Sequence, residues 1–181
     1  NGWSIAAIET KLEGSIAGLR IKGIADLVLE RGSEKAIIDL KWRGAGWRQM
    51  LLKNEEDIQL YLYSNMLPPV TEWPHTAYFV INQGKLIARN NAAFRQAIAV
   101  SPDADTREVN QRIWEKMTKT LEWRRQQLRS GRIEVRCHKT AALLEDHYAE
   151  ALTEFDLLDL LEMKEEDAAY DDYRTLINLI E

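Results

Sequence analysis

The run Ile37-Ile38-Asp39-Leu40-Lys41-Trp42 constrains this chain more than any other stretch. It is short, apolar and rich in β-branched residues, so it reads as a strand whose flanks are buried. A carboxylate and an ammonium inside such a run are costly unless they are paired or put to use. Strand alternation sends Ile37, Asp39 and Lys41 to one face and Ile38, Leu40 and Trp42 to the other. Asp39 and Lys41 then point the same way, roughly 7 Å apart. The preceding strand contains Gly23-Ile24-Ala25-Asp26, where a second carboxylate lies within reach of the same spot.

The surrounding pattern predicts mixed α and β structure. Residues 3–12 read as a loose first strand, broken by Gly14 and Gly18. Residues 19–29 alternate, with Leu19, Ile21, Gly23, Ala25, Leu27 and Leu29 on one face. Arg31-Gly32-Ser33-Glu34 is turn chemistry, so this strand and the one from Ala36 form an antiparallel hairpin with a four-residue connection. Gly23 in mid-strand marks a bulge or a close backbone approach. Arg43-Gly44-Ala45-Gly46-Trp47 reads as a basic loop. Asn54 reads as the N-cap of a helix with Glu55, Glu56 and Asp57 in its first turn, ending before Pro68-Pro69. Residues 76–81 and 85–89 flank Asn82-Gln83-Gly84 as a second hairpin. Asp105 with Glu108 opens a long helix that ends near Ser130-Gly131. Beyond a short extended piece, 132–136, apolar residues recur at helical spacing over 140–162 and 168–180.

Length and charge narrow the class. The 181 residues suffice for one core with an appendage, and no apolar run is long enough to span a bilayer. The opening carries no leader pattern. Cys137 is the single cysteine, which rules out a disulfide framework and a Cys-built zinc or iron–sulfur centre, and fits a cytoplasmic setting. Residues 1–136 hold 21 Lys and Arg against 16 Asp and Glu, whereas 137–181 hold 3 against 13. The expected organisation is a core over 1–136 and an acidic, helical C-terminal extension over 137–181 packed upon it. A mildly basic body suits a polyanionic partner.

Two carboxylates and an ammonium can hydrolyse a phosphodiester. Asp26 and Asp39 are hard oxygen ligands suited to Mg²⁺ or Mn²⁺, which polarises phosphate and lowers the pKa of an attacking water. Lys41 can orient or deprotonate that water, or neutralise charge building on the phosphate oxygens. Gln59 and Tyr63 form an i, i+4 pair on the following helix. In order and spacing, Gly23-x-x-Asp26, Asp39-x-Lys41 and Gln59-Leu60-x-x-Tyr63 resemble the PD-(D/E)XK nuclease superfamily, and the Gln–Tyr helix resembles its RecB-like branch. That branch includes the nuclease domains of RecB- and AddB-type helicase–nucleases and the CRISPR-associated exonucleases.

The resemblance covers residues 5–90 and implies a restriction-endonuclease-like α/β (α+β) core, a mixed central sheet flanked by helices. It implies a metal-dependent deoxyribonuclease, with an exonuclease role in DNA repair, recombination or phage DNA processing and a helicase or larger parent protein as partner. It assigns metal binding to Asp26 and Asp39, assistance to Lys41, and active-site helix positions to Gln59 and Tyr63. Glu9 stands where relatives often carry a further acid. Many relatives also place a metal-binding His upstream of the first Asp. Here His75, His138 and His147 all lie downstream, so that helix either belongs to a longer parent protein, as expected, or is dispensed with. Some relatives have a cysteine cluster after the long helix; one cysteine implies no iron–sulfur cluster.

Blander readings stand beside these. Asp39 and Lys41 fit an exposed ion-pairing face of an edge strand. Arg43, Trp47 and Arg48, with Trp42, form either a stacking and phosphate surface for single-stranded DNA, or a core Trp42 with solvated arginines. Arg124, Arg125 and Arg129 read as a solvated helix face. The acidic tail either covers the basic body or simply packs with its charges outward. A silent DNA- or partner-binding module of the same fold is the rival function.

Overall fold

The computed structural model describes residues 2–67 and 73–131. In chain order these form β1 (Ser4–Ile16), β2 (Leu19–Arg31), β3 (Glu34–Lys41), α1 (Ala45–Lys53), α2 (Ile58–Met66), β4 (His75–Val80), β5 (Lys85–Ala88), β6 (Ile98–Ala99) and α3 (Thr106–Arg129). The six strands make one mixed sheet in the order β1-β2-β3-β4-β5-β6. β1, β2 and β3 pair antiparallel, β3 and β4 parallel, β4 and β5 antiparallel, and β5 and β6 parallel. The chain divides into two compact units, Asn1–Ile113 and Trp114–Glu181. The whole sheet lies in the first; the described part of the second is the remainder of α3. The extended piece and the two tail helices expected after residue 131 fall outside the described residues, as do Cys137, His138 and His147.

β3 is interior to the sheet, not an edge strand, and this decides its character. Ala36, Ile37 and Asp39 are buried almost completely. On one face Ile38 joins Leu29, Ala77, Ala88, Phe94 and Ala97, with Trp3 and Leu27 packed alongside. On the other face Ile37 joins Leu12, Ala25, Val28, Met66 and Leu67. Next to these, Ala45 and Leu52 of α1, Leu60 of α2, and Tyr78, Val80 and Ile87 of the sheet form a third cluster. The parallel β3–β4 pairing needs a crossover, and α1 and α2 supply it.

Several expectations need correction. β1 runs straight through Gly14, which pairs with Ile21. A Cβ on Gly14 would come within 2.8 Å of Met66 Cγ, so the missing side chain makes room for α2 and does not end the strand. The β2–β3 connection is two residues, not four, because Arg31 pairs with Glu34 around Gly32 (φ 62°). Strict alternation also fails in β2. Ala25 and Val28 share one face while Leu27 and Leu29 serve the other. The phase slips at Asp26, across from Glu9, whose φ of 47° kinks β1 at the same level.

The largest correction concerns residues 43–57. The basic loop is brief, and α1 starts at Ala45 after Gly44 (φ 95°). Asn54 closes α1 as its C-cap; it is not the N-cap of the next helix. α2 begins after Asp57, and its first turn carries no acid. The Asp57 side chain does not cap α2 because Arg89 takes it. Arg89 Nη2 donates to Asp57 Oδ1 at 2.5 Å, and Nη1 donates to the Leu52 carbonyl at 2.6 Å. Asp57 and Arg89 are both buried, so one guanidinium at the end of β5 clamps the joint between the helices.

Other expectations hold. β4 and β5 pair around a short 3-10 turn, Ile81–Gln83, with Gly84 at φ 60°. Asp105 Oδ1 accepts from the amides of Arg107 (2.7 Å) and Glu108 (3.1 Å), capping α3 as the sequence predicts. β6 is unforeseen; two residues give no periodicity.

Arg89→Met leaves Asp57 buried without its partner, which should cost about 3–5 kcal/mol. Urea denaturation checks this, and adding Asp57→Leu should recover much of the loss. A single-variant cost under about 1 kcal/mol would contradict the clamp.

Candidate active site

The last β2–β3 ladder pair is Leu27 with Ile38. One step further Asp26 and Asp39 stand across from each other, where the strands part. The Leu40 amide donates to Asp26 Oδ2 at 2.7 Å. This places the two carboxylates at the C-terminal end of β3, just before the crossover, where open α/β sheets bind ligands.

From Asp39 a line of polar contacts runs to α2. Lys41 Nζ lies 2.8 Å from Asp39 Oδ2 and donates to Gln59 Oε1 at 3.1 Å. Gln59 Nε2 in turn donates to the Tyr63 hydroxyl at 2.9 Å. Thus Asp26, Asp39, Lys41, Gln59 and Tyr63 converge, although β2, β3 and α2 are well separated in sequence. Gly23 fixes the distance. A Cβ there would come within 2.6 Å of the Tyr63 ring, so its bare backbone lets α2 lie close on β2. The close approach expected of Gly23 is what is found.

The electrostatics mark Asp39 out. It is 1% exposed. Burial pushes its carboxyl above the usual aspartate value, Lys41 opposes the rise, Asp26 adds to it and Arg48 draws it down. The Lys41 ammonium pairs with the buried Oδ2 at 2.8 Å, and no other donor among the described residues reaches that oxygen. Two facing carboxylates, one of them buried and each raising the cost of the other's charge, suit a hard divalent cation. Asp26 and Asp39 are the residues that would hold it. Among the described residues no group of three or more His, Cys, Asp or Glu side chains comes together to hold a metal, so Glu9 does not complete a trio here.

The basic and aromatic candidates separate. Arg43 and Trp47 are exposed, as is Trp42, which is therefore not core. Arg48 turns inward: its guanidinium lies 5.3 Å from the centre of the Tyr78 ring, and its Nε is buried. Hence Arg48 is not part of an outer surface with Arg43 and Trp47. Its place as an inward cation near Asp39 is hidden in the sequence, where 43–47 reads as a loop and 48–53 carries no helix signal. Tyr78, beside Asp39 in the β3–β4 register, was also missed; burial first, then Asp57 and Asp39, push its hydroxyl pKa upward.

A family model of the PD-(D/E)XK nuclease superfamily matches residues 1–171. The chain belongs to this superfamily. Comparison with curated proteins and with solved structures gives no match. Membership agrees with the mixed six-stranded sheet and its flanking helices. It makes the protein a nuclease, a hydrolase of phosphodiester bonds, in a superfamily that generally uses divalent metal ions. No helix among the described residues is long and apolar enough to cross a membrane.

Because folding disfavours the Asp39 carboxylate, replacing it with a neutral group relieves a cost. Asp39→Asn should melt at or above the wild-type temperature at pH 7. Protonation brings the wild type to the same neutral state, so the gap should close as pH falls through the raised Asp39 pKa. Thermal melts across pH 4–8 test the sign; a clear loss of stability at pH 7 would refute it.

Proposed function

We propose that this superfamily member is a RecB-like, Mg²⁺- or Mn²⁺-dependent deoxyribonuclease with its active site at Asp26, Asp39, Lys41, Gln59 and Tyr63. The observation that carries the reading is the unbroken contact line from Asp39 through Lys41 and Gln59 to Tyr63. The Gln–Tyr pair is the feature that resembles the RecB-like branch, and here its members touch each other while Gln59 also accepts from the lysine.

Asp26 and Asp39 would hold the divalent ion, which would supply Lewis acidity and charge neutralisation at the phosphate. The protein's own part is positional. The Leu40 amide holds one oxygen of Asp26 and thereby aims the other. Lys41, steered by Gln59, carries a fixed positive charge to where the cleaved phosphodiester gathers negative charge, stabilising that charge without reorganisation.

An exonuclease role, action in repair, recombination or phage DNA processing, and a helicase or longer parent protein as partner all rest on the RecB-like resemblance. On that reading, the core of residues 1–136 works as the nuclease module, with 137–181 as its acidic extension. A further metal ligand, such as a histidine of a parent protein, would complete the cation's shell.

Cleavage of linear and circular DNA with Mg²⁺ or Mn²⁺ tests this directly. Asp39→Ala and Lys41→Ala should each lower the rate at least about a hundredfold while staying folded. Gln59→Leu should lower it about 10- to 100-fold, as loss of an orienting partner does. A saturable Mn²⁺ site should vanish in Asp26→Ala and Asp39→Ala. Full activity in both Asp39→Ala and Lys41→Ala would refute the mechanism, and circular DNA cut as fast as linear would refute the exonuclease role.

A further inference from the structure

Tryptophan is among the side chains most often sheltered from water, and this chain has six. Trp123 is buried, and Trp3, Trp73 and Trp114 are half-buried. Trp42 and Trp47 stand apart at 69% and 49% exposed. Both flank the site: Trp42 directly follows Lys41, and Trp47 lies in the first turn of α1. Among the described residues neither ring stacks on another ring or takes a hydrogen bond, whereas Trp3 and Trp73 pack against aromatic neighbours.

The backbone beneath these rings is held firmly. The Trp42 carbonyl accepts from the Asn82 amide at 3.1 Å, extending the order of the β3–β4 ladder past its last pair. At Gly44 the chain turns with φ 95°, and Trp47 Cβ lies 4.0 Å from where a Gly44 Cβ would stand. Between the two tryptophans, Arg43 is exposed and has no acidic partner among the described residues. Two exposed rings close together in sequence, with an exposed guanidinium on the residue after the first, suit a chain of unpaired nucleotides, whose bases offer π-faces and whose phosphates offer charge. In a duplex those faces are covered by neighbouring base pairs.

We propose that Trp42, Arg43 and Trp47 form a stacking platform that binds single-stranded DNA and leads it to the Asp39–Lys41 site. This deepens the deoxyribonuclease reading and rests on it for the choice of DNA as the occupant. Bases stack on Trp42 and Trp47, and Arg43 neutralises a phosphate between them. Unpaired strands or frayed ends are thereby the preferred substrate.

Binding is measured on the full chain in EDTA, by fluorescence anisotropy of a labelled oligothymidylate of about 16 nucleotides and of a blunt hairpin duplex at one salt concentration. Stacking is worth about 5- to 150-fold in affinity per base. The wild type should therefore favour the single strand, and Trp42→Ala with Trp47→Ala should weaken it at least about tenfold while duplex binding changes little. The paired Phe variants should keep most of the affinity. Should the double alanine variant fail to fold, each single alanine variant makes the same comparison. Equal losses on both DNAs, or no loss, overturn the platform. A parallel Mn²⁺ cleavage assay separates the two ideas. Selective single-strand binding without cleavage of either DNA supports the platform and counts against the nuclease mechanism.

Discussion

The hydrogen bond from the Leu40 amide to Asp26 Oδ2 is the contact on which the site depends. Two antiparallel strands that part ordinarily leave amides wanting acceptors, and an unsatisfied amide near a core is expensive. Here a carboxylate fills the gap, so one group both ends the ladder and stands at the opening. The phase slip in β2 at Asp26 and the positive φ of Glu9 belong to the same local break. Irregular sheet geometry of this kind is common beside functional sites because it re-aims a side chain that regular pairing would fix elsewhere.

The second organising fact is the closeness of α2 to the β1–β2 hairpin. Gly14 and Gly23 remove the side chains that would hold the helix away, and Met66 and Tyr63 occupy the space. The helix is set by backbone contact, and Gln59, one turn before Tyr63, arrives opposite Lys41. Glycine in a strand is usually a weakness. Here the entropic loss is offset by apolar packing and by the placement of two polar side chains.

What the sequence made legible, and what it hid, divides along physical lines. Asp39 and Lys41 were visible because charge in an apolar run is conspicuous. The Asp105 cap was visible because its chemistry is local and its side chain has no competing partner. Asn54 and Asp57 misled for the opposite reason: Asn54 has N-cap chemistry although it closes α1, and nothing local shows that the Asp57 carboxylate faces a guanidinium 32 residues away. α1 escaped notice because it is only nine residues long, begins between two glycines and buries little beyond Ala45 and Leu52. With α1 unread, nothing indicated that Arg48 turns inward while Arg43 and Trp47 face solvent. The slip in β2 was equally hidden, since alternation assumes an unbroken strand and Asp26 is where it breaks.

A nuclease meets a ligand that carries its own cloud of counterions, so the ionic surroundings of the protein change each time a strand arrives or leaves. Surface ion pairs weaken and recover with such changes, because mobile ions screen them. The Arg89–Asp57 pair is shielded from that traffic by its burial. It fastens the end of α1 to the start of α2, the helix that bears Gln59 and Tyr63. The frame behind the lysine is therefore indifferent to salt, even where the grip on the strand is governed by it.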